Sequence, residues 1–290
     1  MLLRCQKDKL TAATPWAAQI AADPQADEGV RYTALAVLLT FKAPEGPRVL
    51  GDMITQQKET IQQVKLGLIS IEFASQMKPA AIEPLANARS NLAKSIGTLA
   101  QKAAGGADST AGLLALLKEG HPIVLDWALA YSERTDADRQ IAIRTALVNQ
   151  ATIVDNIRDK DYERAVISTA KLLDDNGAAG RKIVEGLLKS DNRAVVEAAL
   201  AGIYRSKAEN QAELVMPIWD GLTRTTSTET AANYAALILA RAGRKEPLTW
   251  LPGMVVGGTV QRAGFRALAG WYYAKLKGQT GELLKYGLSD

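Results

Sequence analysis

GRKIVEGLLKSDNRAVVEAALAGIYRS, residues Gly180 to Ser206, reads as two short amphipathic helices joined by a polar corner at Ser190 to Arg193. In the first, Ile183, Val184, Leu187 and Leu188 recur at the spacing of one helical face and leave Lys182, Glu185 and Lys189 outside it. In the second, Val195, Ala199, Leu200 and Ile203 share a face. Asp191 is its expected N-cap, the carboxylate accepting from orphan amides at the positive end of the helix dipole. Ala198, Ala199, Ala201 and Gly202 are small, so this helix can approach a partner more closely than a leucine-rich one. A single such hairpin cannot bury both of its apolar sides. It needs neighbours of its own kind, which is the physical logic of repeat proteins.

The pattern of the second helix recurs along the chain. It appears as Val30, Ala34, Leu35, Leu38; as Val124, Ala128, Leu129; as Ala232, Ala236, Leu237, Ala240; and as Val260, Gly264, Phe265, Leu268. Looser versions sit at Val64 with Leu68 and Ile69, and at Val166 with Ala170 and Leu173. Successive positions 30, 64, 96, 124, 166, 195, 232 and 260 are spaced by 28 to 42 residues, and the widest step, across Ile143 and Arg144, leaves room for a shorter unit. Such a spacing holds two helices of about 12 residues with their turns. Asp23-Pro24, Pro44 to Pro47, Lys78-Pro79, Gly105-Gly106, Gly120 to Pro122, Asp174 to Gly177 and Pro252-Gly253 punctuate them as breakers should.

Composition agrees with a helical chain. Of 290 residues, 47% are hydrophobic, enough for a substantial core, and alternating β-branched runs are nearly absent, so no strand is expected. No apolar run reaches the roughly 18 residues that span a bilayer, and MLLRCQKDKL is too polar for a signal peptide. The lone Cys5 excludes an internal disulfide and any multi-cysteine zinc site. With 35 basic against 31 acidic residues the net charge is only +4, which permits nucleic acid without implying it.

VVEAALAGI, following Ser190-Asp191-Asn192-Arg193, and VRYTALAVL, following Asp23-Pro24, resemble HEAT repeats of the bacterial type, including the phycobilisome-lyase-like variety. Those repeats carry Asp in the turn between helices and Val-Arg early in the second helix. Asp191 matches the first feature, Val30-Arg31 the second, and Ile143-Arg144 is similar, whereas residues 78 to 118 depart from the pattern. The resemblance implies an α-solenoid that binds proteins and brings no catalytic residue; an accessory lyase for a pigment is a further reading that rests on it alone.

Searches for chemistry return turns and solvated faces. His121 is the only histidine, which rules out a His-His metal pair, and preceding Pro122 it reads as a capping or loop residue. GMVVGGT, Gly253 to Thr259, has phosphate-loop glycines but Thr259 where the lysine is required. Asp174-Asp175-Asn176-Gly177 opens like a calcium loop, yet Ala178 takes the third ligand position, so a helix-ending turn accounts for it. Asp155, Asp159 and Asp161 form an acidic knot that Arg158, Lys160 and Arg164 neutralise. Trp16, Trp127, Trp219 and Trp250 sit in apolar contexts and are expected to pack. The richest constellation is TVQRAGFRALAGWYYAKLK, Thr259 to Lys277, where Arg262, Arg266, Tyr273 and Lys277 fall within roughly 60° on a helical projection.

The expectation is an all-α protein, an α-solenoid of about seven or eight stacked hairpins in one domain over 1–290 with a soft hinge at 103–109. Its expected function is that of a non-enzymatic scaffold or adaptor presenting a concave helical surface to a protein partner, with no catalytic residue, cofactor or metal. Partner binding is assigned to Arg262, Arg266, Tyr273 and Lys277. Nucleic-acid binding through the same basic stripe, in the manner of a HEAT-like DNA glycosylase, is the less favoured alternative, with Asp126 beside Trp127 as its one acidic-aromatic pair. A cytoplasmic monomer with no membrane span completes the reading, and an exported protein shorn of its signal would look the same.

Overall fold

The computed structural model describes residues 11–154, 157–222, 229–244 and 246–247. They form an all-α fold, an α-solenoid of consecutive helix pairs. The pairs are α1 (Thr14–Ala22) with α2 (Glu28–Thr40), α3 (Glu45–Gln56) with α4 (Thr60–Glu72), and α5 (Pro79–Ala86) with α6 (Asn91–Ala104). Then follow α7 (Thr110–Lys118) with α8 (Pro122–Tyr131) and α9 (Ala137–Val148) with α10 (Lys160–Asp175). Last come α11 (Gly177–Leu187) with α12 (Arg193–Arg205) and α13 (Gln211–Leu222) with α14 (Glu229–Arg241). Every described position of the repeating pattern falls on the second helix of a pair: Val30 on α2, Val64 on α4, Ile96 on α6, Val124 on α8, Val166 on α10, Val195 on α12 and Ala232 on α14.

Two expectations are corrected. The wide step between Val124 and Val166 hides no extra helix pair; the connection from α9 to α10 is long because it carries a small antiparallel ribbon. There β1 (Ile153–Val154) pairs with β2 (Ile157–Arg158), Ile153 opposite Arg158 and Val154 opposite Ile157, so the chain is not strictly strandless. The N-cap of α12 is Asn192 rather than Asp191: the helix starts one residue later than expected, and the Asn192 side chain accepts from the Ala194 amide at 2.9 Å. Elsewhere carboxylates do cap. Asp27 accepts from Val30, Asp159 from Asp161 and Tyr162, and Asp136 from Arg139, whose amide, ahead of its charge, holds the Asp136 carboxyl below the usual carboxylate range.

The chain divides into two compact units, 1–127 and 128–290, with the boundary inside α8. In the first, α6 packs against both α4 and α5. Ile96, on α6, is fully buried there. A methyl group on Gly97 would sit 2.4 Å from the Leu85 backbone, so α5 and α6 touch where only glycine fits. Residues 78–118, the stretch that departs from the repeat in sequence, therefore keep the alternation of helices. In the second unit α10, α12 and α14 lie side by side. The anticipated face of α12 is buried, Val195, Ala199, Leu200 and Ile203 alike, and so are Val184, Leu187 and Leu188 around the end of α11. Of the tryptophans, Trp219 is buried but Trp16 is 43% exposed. No helix among the described residues is long and apolar enough to cross a membrane.

The small residues of α12 set the separation of the layers. A Cβ on Gly202 would lie 2.4 Å from Thr169 Cβ and 2.7 Å from the Val166 carbonyl oxygen, both on α10. Gly202→Ala must push the helices apart and is expected to cost about 1–3 kcal/mol, and Leu200→Ala about 2–5 kcal/mol through the cavity it leaves. Gly186→Ala, where the added methyl meets nothing within 4 Å, should be neutral or slightly stabilising. Urea denaturation of the three variants checks this order.

Candidate functional site

The turn between α10 and α11 fastens two neighbouring segments. Arg144 on α9 is 1% exposed and donates through Nη1 to the Lys171 carbonyl at 3.0 Å and to Asn176 Oδ1 at 2.7 Å. Its Nη2 reaches Asp175 Oδ2 at 2.8 Å, and Asn176 Nδ2 donates to Gln140 Oε1 at 3.1 Å. Asp174 points its hydrogen bonding the other way. Its Oδ1 accepts from Ser206 Oγ at 2.6 Å, the Lys207 amide at 2.8 Å and the Ala208 amide at 3.2 Å. The sequence Asp174 to Asn176 is thus a structural hub, and its acidic groups are occupied by protein donors.

The segment held by Asp174 is the connection from α12 to α13, and its far end is fixed as well. Gln211 Nε2 donates to the Ser206 carbonyl at 2.7 Å. Arg181 Nη2 donates to the Asn210 carbonyl at 3.2 Å and to Glu213 Oε2 at 3.1 Å. Asn210 itself is left-handed, φ 56°, a conformation that Asn adopts more readily than most residues. Beside this connection α14 ends in a Schellman turn: Gly243, φ 69°, donates to the Ala240 carbonyl and Arg244 to the Leu239 carbonyl, each at 2.9 Å.

Between the two lies a cleft of about 760 Å³, walled by Tyr204, Arg205, Lys207, Asn210, Arg241 and Arg244 among others. Its lining carries four cationic side chains and one carboxylate, Glu213, which Arg181 engages. Arg241 is pinned: its guanidinium lies 4.4 Å from the Tyr204 ring centroid, and Nη1 donates to the Tyr204 carbonyl at 3.1 Å. Tyr204 is backed in turn by Tyr234, with ring centroids 6.0 Å apart. Arg205, Lys207 and Arg244 are exposed and form no salt bridge among the described residues. The first turn of α13, which opens at Gln211 on the cleft wall, adds the positive end of a helix dipole. The lining is thus net positive.

Arg262, Arg266, Tyr273 and Lys277 lie outside the described residues, as do Cys5, Trp250 and the glycines of 253–259. His121 acts through its backbone, its carbonyl accepting from Val124 and Leu125 at the start of α8. Asp159 caps α10 and Asp161 pairs with Arg164, so the described part of the acidic knot is structural. Asp126 is exposed and Trp127 half-buried. Among the described residues no three His, Cys, Asp or Glu side chains gather as metal ligands do. The cleft was not singled out in the sequence, although one signal was there. Arg205 and Arg241 each close the last turn of a second helix, one repeat apart.

No family model and no curated protein sequence matches the chain. Among solved structures it is similar to human deoxyhypusine hydroxylase in complex with glycerol, at 13% identity over 94% of this chain and 99% of that one, with a TM-score of 0.31. That protein is a helical hydroxylase, and the expectation of a non-enzymatic scaffold without enzymatic activity is at odds with that likeness. Failed contiguous motifs exclude only contiguous motifs, whereas stacked hairpins bring together residues about a repeat apart, as Asp174 and Ser206 already illustrate. A likeness this distant transfers no reaction and no site residue to the present chain.

Because three donors converge on one carboxylate oxygen, Asp174→Ala should free the floor of the cleft. Hydrogen exchange at the Lys207 and Ala208 amides is expected to quicken by about tenfold or more, with α12 protection unchanged. Mass-spectrometric exchange on the intact protein reads both.

Proposed function

We propose that the chain is built of HEAT-like repeats and that the cleft between the ends of α12 and α14 takes an acidic segment of a partner polypeptide. The observation that carries this reading is the trio Arg205 at the end of α12, Lys207 on the connection that Asp174 and Arg181 hold in place, and Arg244 in the turn after α14, cations without a salt bridge among the described residues. Charges left unmatched around a concave surface raise the local concentration of anions and speed their arrival. Preset geometry reduces what binding loses to ordering.

A peptide suits the site better than a duplex. The cations ring a cleft rather than line a track of successive phosphates. Asn210 and Gln211 offer amides to a peptide main chain, and the Tyr204 ring is at hand for an apolar side chain.

Fluorescence anisotropy with a labelled Glu- and Asp-rich peptide tests the reading. Binding should weaken with added salt, and the double variant Arg205→Glu, Arg244→Glu should lower affinity by about tenfold or more while leaving the melting temperature in place. Duplex DNA that binds more tightly than the peptide and is lost in the same variant would replace this reading with the nucleic-acid one.

A further inference from the structure

The first unit holds a second, smaller cavity that owes nothing to the basic cleft. It measures about 200 Å³ and is lined by Glu28, Arg31, Met53, Gln56, Gln57 and Leu66, from α2, α3, α4 and the turn after α3. Glu28 stands in the first turn of α2, and Arg31 one turn further along the same helix, a spacing of roughly 5–6 Å between Cβ atoms. Opposite charges at that distance ordinarily pair. Here they do not: Glu28 and Arg31 form no salt bridge with each other or with any other described residue.

Each charge is instead positioned from behind. Glu28 accepts from Gln57 Nε2 through one carboxylate oxygen and from Gln62 Nε2 through the other. Gln57 is fixed in its turn, its Oε1 accepting from the Lys58 and Glu59 amides and its carbonyl from Gln63 Nε2. Gln62, 8% exposed, stands behind Glu28 and holds it from outside the cavity lining. Arg31 uses Nε on the Ala21 carbonyl at 3.2 Å, which leaves its two η nitrogens without a protein acceptor among the described residues. Met53 and Leu66, both buried, add an apolar surface.

A carboxylate and a guanidinium that share a small cavity without sharing each other match a ligand that carries both signs. We propose that this cavity binds a free α-amino acid, with Glu28 meeting its ammonium, Arg31 its carboxylate, and Met53 and Leu66 a short apolar side chain. The volume sets the size class, because it falls below the roughly 300–1,000 Å³ of sites for larger ligands. Fixed amide partners keep both charges oriented, so the ligand replaces water without rearranging the protein.

Isothermal titration of the full chain with glycine, L-alanine and L-serine, and separately with methylammonium and acetate, tests the assignment. One or more of the amino acids should bind about tenfold or more tightly than either single-charge probe, because only a zwitterion engages both groups. Glu28→Gln, which keeps an acceptor for Gln62, and Arg31→Gln should each weaken binding by about tenfold or more with circular dichroism unchanged. Arg205→Glu in the second unit should leave it untouched, which separates this site from the peptide cleft. Methylammonium binding as tightly as the amino acids, saturation by none of the probes, or binding by both cavity variants as tight as by the unsubstituted chain would each overturn the proposal.

Discussion

The approach of α12 to α10 governs the second unit. Gly202 lies against Thr169 and the Val166 carbonyl at distances no other side chain permits, and the alanines around it leave the helix face nearly flat. Two consequences follow from so short a separation. Apolar side chains between the layers are excluded from water along the whole helix rather than at isolated points, the condition that lets one hairpin stabilise the next. Polar groups caught in the seam must also be matched across it, as when Tyr162 Oη donates to Glu197 Oε1 at 3.2 Å in a fully buried setting. Register between the layers is thereby fixed by hydrogen-bonding chemistry as well as by shape.

The fold was legible because its cause is local and repeated. Val195, Ala199, Leu200 and Ile203 announce a buried face at helical spacing, and the same lettering at Val124 and Ala232 announces its copies, while on α2 Ala34, Leu35 and Leu38 are buried and Val30 is 43% exposed. Where the lettering faded the physics persisted. Ile96 offers little pattern, yet it is buried against Gly67, while Gly97 beside it admits the Leu85 backbone, so that missing side chains make both contacts. A pattern of hydrophobic letters does not register what glycines remove. The ribbon at 153–158 escaped for a related reason, since pairs of residues are too short for alternation to be seen.

The candidate sites were less legible, and the two cases differ. In the basic cleft Arg205 and Lys207 are separated from Arg241 and Arg244 by a full repeat, so no window of sequence contains them together. Reading the last turn of each second helix in parallel would have joined Arg205 to Arg241. The smaller cavity could not have been found that way. What marks Glu28 and Arg31 is a missing salt bridge, and a sequence shows only that the two charges are near enough to make one.

The ties between neighbouring hairpins bear on how the chain comes to be assembled. Asp174 meets Ser206 32 residues on, and Arg241 reaches back 37 residues to Tyr204. Each is a bond across about one repeat. A nascent polypeptide emerging at about 5–20 residues per second supplies the missing partner within roughly ten seconds, with no need for the distant terminus. Growth on the ribosome and growth of the structure can therefore advance together, each newly emerged hairpin closing the hydrogen bonds that the previous one left open.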